Sequence, residues 1–354
     1  MSIVHSPQST VHSRLLTVDC GLWTILCFLL LFLAQQSHAQ IGGRNTFEFL
    51  NVPNNARLAA LGGVNVSLAD RDVNFFFSNP ALVSDTLSGF ASAGYQFYVA
   101  DVGQATFTYA HDFKKLGTLT FGIQHLNYGS IKGYDATGAS IGDYKSGETA
   151  LVIGKSHQIS NFRIGANFKM AFSNLAGYRA NAMMLDIGGV FVHPKKDLRV
   201  GLTIKNLGFV LSDYSNSSDA KLPFDVQLGV TFKPEHMPLR FSFTGYNLAS
   251  SNVTYYNAVA GDEEPGTLDK ILRRINIGAE ILLHKNVNVL VGYNYLIHQE
   301  LKLENAGGSA GLSFGFSARI KAVEFVFSRS AYVIGNAAYN FTLATDVNRF
   351  LRKK

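Results

Sequence analysis

From about residue 87 the chain alternates apolar residues with polar or small ones at a period of two. The clearest runs are Leu239-Phe241-Phe243, with Arg240, Ser242 and Thr244 between them, and Leu312-Phe314-Phe316, with Ser313 and Gly315 between them. Val287-Val289-Val291-Tyr293-Tyr295 and Phe162-Ile164-Ala166-Phe168-Met170 repeat the pattern. Neighbouring side chains of a strand point to opposite faces, so each run predicts a strand with one apolar and one polar face. The segments are roughly 10 to 14 residues long. Soluble strands average about five or six residues, whereas a tilted membrane-spanning strand needs about 9 to 11. The pattern predicts 14 strands, at 87–99, 102–112, 117–130, 144–158, 161–175, 179–193, 197–208, 223–233, 237–249, 270–283, 286–299, 306–319, 321–331 and 335–346. Even-numbered connections are tight, and the longest odd-numbered ones are 129–143, 208–222 and 249–269. Short turns at one end and longer loops at the other are the habit of outer-membrane barrels, and an even strand number returns both termini to the periplasm. The expected fold is an all-β, 14-stranded antiparallel transmembrane barrel with an apolar lipid face and a polar lumen.

Residues 40–86 keep neither the strand nor the helix period. Their turns and small residues, Pro53, Ala59-Ala60, Gly62-Gly63 and Asn79-Pro80-Ala81, suit a compact plug or hatch. Within it, Asp70 and Asp72 either pair with Arg57, Arg71 or lumen-facing bases, which would seat the hatch, or cap turns. Phe75-Phe76-Phe77 either packs the hatch against the wall or lines an apolar pocket. Ahead of it lies an apolar run, Gly21 to Ala34, too short for a spanning helix of about 20 residues. With small residues before a cut after Ala39 it reads as a secretory signal. The expected organisation is 1–39 signal peptide, 40–86 hatch, 87–346 barrel and 347–354 short basic tail.

Charged residues are only 16% of the chain, low for a soluble protein, and the net charge of +6 is scattered. No basic face interleaved with aromatics stands out, which disfavours nucleic acid. Both cysteines, Cys20 and Cys27, fall in the signal, so neither a disulfide nor a thiolate site is expected in the mature barrel. The histidines, among them His111, His157, His193 and His284, fall near tight turns and show no metal-ligand spacing. Asp262-Glu263-Glu264 reads as a solvated charge run. No catalytic residue, cofactor site or metal site is expected. His125 and Ser130 are not brought together by the sequence.

The hatch residues Gly42-Gly43-Arg44, Phe47-Glu48-Phe49-Leu50-Asn51, Pro53, Ala56-Arg57, Ala59-Ala60-Leu61-Gly62-Gly63, Asn65-Val66-Ser67, Asp70, Asp72 and Asn79-Pro80-Ala81-Leu82 resemble the N-terminal block of the PorQ family. That family supplies barrel components of the type IX secretion system within the wider PorV and FadL-like class. Asn79-Pro80-Ala81 alone is also similar to the hatch of FadL-type transporters. The resemblance implies a non-enzymatic integral outer-membrane protein with surface-exposed loops. It would hold a PorZ-like surface protein and, indirectly, a PorU-like sortase and a PorV-like shuttle, in a complex that anchors cargo to lipopolysaccharide. Arg57, Gly62, Gly63, Asp70, Asp72, Asn79, Pro80 and Ala81 form the hatch motif. Tyr134, Phe209, Tyr214, Tyr255 and Tyr256, in the longest connections, are the candidate partner contacts, aromatics being enriched in interface anchors. The alternative expectation is a FadL-like channel for hydrophobic small molecules.

Overall fold

A computed structural model describes residues 45–98, 101–215, 220–250, 253, 265–301, 308–333 and 336–351. The expected signal segment, Tyr255, Tyr256, Asp262-Glu263-Glu264 and the last three residues lie outside the described residues. From Glu48 to Leu87 the chain makes four short 3-10 turns and one helical turn, α1 (Ala56–Ala60). Fourteen strands follow: β1 (Phe90–Phe97), β2 (Gly103–Phe113), β3 (Gly117–Tyr134), β4 (Ser140–Ile159), β5 (Phe162–Leu175), β6 (Tyr178–Val192), β7 (Leu198–Ser212), β8 (Asp225–Phe232), β9 (Leu239–Gly245), β10 (Ile275–His284), β11 (Val287–Asn294), β12 (Leu312–Ile320), β13 (Val323–Val333) and β14 (Asn336–Asp346). Short helices α2 (Thr267–Leu272) and α3 (Tyr295–Leu301) sit in two connections, and α4 (Asn348–Leu351) follows the last strand.

Each strand pairs antiparallel with its sequence neighbours. The sheet closes where β1 meets β14, from Phe90 opposite Asp346 to Phe97 opposite Tyr339. Closure leaves no sheet edge, a condition for crossing hydrocarbon, because no backbone group there can turn to water.

The burial pattern is inverted relative to a soluble protein. Phe243, Phe314 and Phe316 are 42–45% exposed, while Ser242, Thr244, Glu280 and Ser313 are 1–5% exposed. The apolar face of each run therefore looks outward and the polar face fills the interior. On the outer face Phe316, Phe325, Phe327 and Phe341 form a ladder with ring centroids 5.2–6.3 Å apart.

The barrel is not uniform in height. At the end where β1 begins and β14 ends, the connections are tight, as at 285–286 and 321–322, whereas the first described residues lie at the far end, where Thr46 N–H donates to Lys221 O at 2.7 Å in the β7–β8 connection. At the far end β3 and β4 run 18 and 20 residues, whereas β8 and β9 run only 8 and 7. The β3–β4 hairpin, which the sequence pattern left partly as a loop, thus continues as strand to Tyr134. Two other expectations fail locally. Residues 295–299 are helical instead of continuing β11, because the Asn294 side chain accepts the Ile297 N–H at 3.1 Å and starts α3. Residues 270–272 belong to α2, closed by the Asp269–Arg273 pair one turn apart at 2.5 Å. The expected basic tail begins as α4, where the Asn348 amide donates to Ser88 O at 3.0 Å.

The inversion predicts an asymmetric cost of charge. Phe316→Arg on the outer face should lower stability in bilayers by about 2–4 kcal/mol, read by equilibrium urea unfolding. A change within error would contradict an outward lipid face.

Candidate functional site

An irregular segment inside a barrel has a problem of its own: its N–H and C=O groups follow no ladder, yet water is scarce. Here the wall supplies the partners. Side-chain amides from five strands donate to hatch carbonyls: Gln104 to Pro53 at 3.1 Å, Gln124 to Phe49 at 2.7 Å, Asn167 to Phe76 at 2.7 Å, Asn276 to Leu61 and Val64 at 2.8 and 2.7 Å, and Asn294 to Gly62 at 3.2 Å. Thr106 adds a hydroxyl donor to Asn54 O at 2.8 Å, and Thr342 accepts the Ala56 N–H at 2.9 Å.

Glycine provides the space. A Cβ on Gly165 would lie 2.6–2.8 Å from the backbone of Pro80 and Ala81, and on Gly292 it would run into the Ala60–Gly62 backbone. Gly201 is abutted by the Val66 carbonyl, Gly315 by Ala60 and Gly122 by the Phe76 and Phe77 rings. Phe75, Phe76 and Phe77 are buried; Phe76 and Phe77 pack against the wall at Gly122, and Phe77 also lines a cavity on the far side.

The residues of the hatch, those of the motif and Asn55 beside them, divide the work. Asn55 caps α1 by accepting the Leu58 N–H at 2.8 Å. Gly62 and Gly63, both at φ near +90°, end it: the Gly63 N–H returns to Leu58 O at 2.9 Å. Asn79 caps the turn Pro80–Leu82 through Ala81 N at 2.9 Å. Its amide donates to Val66 O in the hatch at 2.9 Å and to the wall carbonyls of Gly189 and Leu202 at 3.2 and 3.3 Å. One side chain thus joins the hatch to β6 and β7.

A charge network holds α1. Arg57 donates to both oxygens of Asp70, at 3.0 and 2.5 Å, and to Glu280 on β10 at 2.8–2.9 Å. Arg240 on β9 donates to Asp70 at 3.2 Å and to Glu280 at 2.8 Å. Glu280 and Arg240 are cross-strand partners. The four groups form a closed ring of two cations and two anions, half from the hatch and half from the wall. Asp72 stands outside it, 3.8 Å from Arg57, and caps the next turn through Asn74 N at 3.0 Å. Both expected roles of these aspartates occur: Asp70 pairs and Asp72 caps. Burial pushes the Asp72 carboxyl up to about 6, with the Asp70 charge adding to the shift and Arg57 opposing it. Burial also acts upward on Asp70, but Arg57 outweighs it and holds that carboxyl below its usual range.

Two cavities flank α1. The lining of the far-side cavity, about 580 Å³, is mixed, with Leu58, Phe77, Leu296 and Ile297 beside polar and charged residues such as Asn51, Asn65, Lys205, Asp225, Gln227 and Asn294; Ala59, Tyr98, Tyr246 and Leu312 also line it. The terminal-side basin, about 710 Å³, is lined by Arg57, Asp70 and Arg71 and by the turns between β8 and β9 and between β10 and β11. They share no lining residue, and α1 gives Arg57 to the second and Leu58 and Ala59 to the first.

The candidate contact aromatics are scattered. Tyr134 ends β3 and Phe209 lies within β7 instead of in a loop; both are exposed. Tyr214 turns inward and its hydroxyl meets Ser173 Oγ at 2.6 Å, which corrects the expectation of an exposed loop anchor. His125 lies against Thr149 at 2.9 Å and Ser130 against Asp143 at 3.2 Å, so the two do not form a pair. Among the described residues no group of three His, Cys, Asp or Glu could hold a metal. The reading of the sequence missed Glu280, the role of Arg240 and the wall glycines. The signal was an acid in Ile275–His284 and a base in Leu239–Gly245, each on the polar face of its strand.

No family model matches the chain, and no curated protein matches its sequence. Among solved structures it is similar to a deltaS2 mutant of the TodX monoaromatic hydrocarbon channel, at 14% identity and TM-score 0.54, over 83% of this chain and 98% of that one. It is also similar to the P. putida toluene transporter TodX, at 11% identity and TM-score 0.52, over 84% and 99%. A Pseudomonas aeruginosa FadL homologue matches at TM-score 0.46, too distant to carry an argument. At these identities the likeness is one of fold: a FadL-like barrel of the outer-membrane kind.

The ring and the seat predict how the hatch fails. Glu280→Gln removes one buried anion from two arginines and should cost about 3–5 kcal/mol. Gly292→Val should displace the Ala60–Gly62 backbone. In both variants trypsin should cut at Arg57 or Arg71 while the barrel keeps its heat-modifiable migration on gels. A hatch as resistant as in the wild type would contradict this seating.

The pH dependence has a definite sign. Asp72 binds its proton more tightly in the fold than in the unfolded chain, so its ionisation costs stability that begins to return as pH falls to about 6 and is fully regained toward the ordinary carboxylate value of 3.8. Asp70 acts oppositely, and its contribution is lost only below the ordinary carboxylate range. Hydrogen exchange of the hatch amides should therefore slow between pH 7.5 and 5.5 after correction for intrinsic rates, and Asp72→Asn should abolish the change.

Proposed function

We propose that this chain is an outer-membrane barrel of FadL type that takes a small apolar molecule into the far-side cavity and passes it inward when the hatch is displaced. The observation carrying this reading is the pair of cavities, about 580 and 710 Å³, to which α1 contributes Leu58 and Ala59 on one side and Arg57 on the other. The far-side cavity is of ligand size, and although Asn51, Asn65, Lys205, Asp225, Gln227 and Asn294 make much of its lining polar, Leu58, Phe77, Leu296, Ile297 and Leu312 give an apolar guest a surface to rest on. The fold neighbours, titled a hydrocarbon channel and a toluene transporter, agree with that substrate class. In this reading the far end faces outward, the tight turns and the end of β14 face the periplasm, and passage requires the Arg57–Asp70–Glu280–Arg240 ring to open.

A crosslink tests it. The Leu61 Cβ lies 3.1 Å from where a Gly278 Cβ would stand, just below the about 3.5–4.5 Å of a disulfide. Leu61→Cys with Gly278→Cys should leave apolar ligand binding intact, stop uptake of labelled toluene into proteoliposomes when oxidised, and restore it on reduction. Uptake that persists with the hatch crosslinked would overturn a hatch-gated route.

A second reading, a docking scaffold of the type IX secretion system with a PorZ-like partner, is favoured by the hatch sequence and by the tall β3–β4 hairpin. Strands of 18 and 20 residues are well beyond the about 9 to 11 needed to span, and they carry the exposed Tyr134. Purification from the native membrane in mild detergent should then recover a PorZ-like surface protein, and Tyr134→Ser should weaken its retention. A clean monomer with saturable apolar uptake would leave only the channel.

A further inference from the structure

The terminal-side basin has a charge character that neither reading uses. Four separate segments bring cations to it: Arg71 from the hatch, Lys233 from the β8–β9 turn, Lys285 from the β10–β11 turn and Arg319 at the end of β12. Arg57 and Arg240 lie at its floor. The carboxylates that line it are already engaged: Asp70 by Arg57 and Arg240, and Glu324 by Arg319. Among the described residues Lys233, Lys285 and Arg71 form no ion pair, although the Arg71 guanidinium stacks 5.4 Å above the Phe90 ring. Glu235 shares the turn of Lys233 but does not line the basin. Met237, Pro238, Leu282 and Leu283 give one side of it an apolar wall. The same end of the barrel carries Lys114-Lys115, Lys195-Lys196 and Lys321 in its other turns.

We infer that this basin is a docking site for an acidic peptide segment of a periplasmic protein. Cations come from the hatch, two turns and the end of β12, an arrangement that suits an extended segment, which advances about 3.4 Å per residue and can present successive carboxylates to them. The basin lies on the inner side of the wall with the hatch as its floor, not on the outer apolar face, which favours a peptide over a lipid headgroup. The apolar wall accepts an aliphatic residue between the acids. A segment bound there touches the hatch directly at Arg57 and Arg71, so the partner would sit against the element that closes the lumen. This site does not depend on the channel reading, and failure of uptake would leave it standing.

The test is fluorescence anisotropy of fluorescein-labelled hexaglutamate on the full chain in zwitterionic nanodiscs. Saturable binding that weakens with salt is expected. Lys233→Glu with Lys285→Glu should weaken it by about tenfold or more, while Lys132→Glu with Lys145→Glu at the far end should leave it unchanged. Heat-modifiable migration checks folding, and the milder Lys233→Gln with Lys285→Gln replaces the reversal if that variant does not fold. Absence of binding, equal loss in the far-end variant, or no loss in the basin variants would overturn the proposal. Displacement by millimolar phosphate at constant ionic strength, or by phosphatidylglycerol added to the nanodiscs, would overturn the peptide assignment in favour of a small-anion or headgroup site.

Discussion

The structure depends on a requirement of the hatch backbone: an irregular chain enclosed by a barrel must find a partner for each polar group it buries. The wall is built around that need. Gln104, Gln124, Asn167, Asn276 and Asn294 come from different strands, yet all five donate to hatch carbonyls. The polar lumen predicted from the alternation is therefore largely a solvent for protein in place of water. Glycines such as Gly165 and Gly292 bring wall and hatch close enough for those bonds. A hatch held this way is part of the fold, not a loose insert.

Charge adds what hydrogen bonds alone lack, a single point at which the hatch can be released. The ring of Arg57, Asp70, Glu280 and Arg240 is neutral and almost fully paired, and it lies at α1, which contributes residues to both cavities. Buried pairs of this kind are poor sources of net stability but costly to break one-sidedly. That property suits a closure that stays shut until both halves of the ring separate together. Three of these side chains, Arg57, Asp70 and Arg240, line a basin richer in cations than anions, so events at the terminal end and closure of the lumen share a set of residues.

Much of the fold was legible in the sequence because a barrel writes itself as period two. Runs such as Leu239-Phe241-Phe243 fixed strand, face and order, and the tight turns at 285–286 and 321–322 set the end to which the chain returns. The failures were local. A single side-chain cap at Asn294 turned Tyr295–Leu301 from strand to helix, and β3–β4 pairing ran past the membrane-length estimate to Tyr134. The hatch was legible as a plug through its turns, and Arg57 and Asp70 through their opposite charges. Their wall partners were not, because alternation shows that Glu280 and Arg240 face inward but not what they meet there. Wall glycines were equally mute: in the sequence Gly292 is a weak strand residue, and only the hatch backbone against it gives it a role.

The most direct measurement is the ion conductance of the purified full chain in planar bilayers. With the hatch seated by the wall amides, the glycines and the Arg57–Glu280 ring, the wild type should insert and remain electrically silent over a broad voltage range. A steady ohmic current through the unmodified protein would mean an open water path beside the hatch, and would contradict a lumen closed by it.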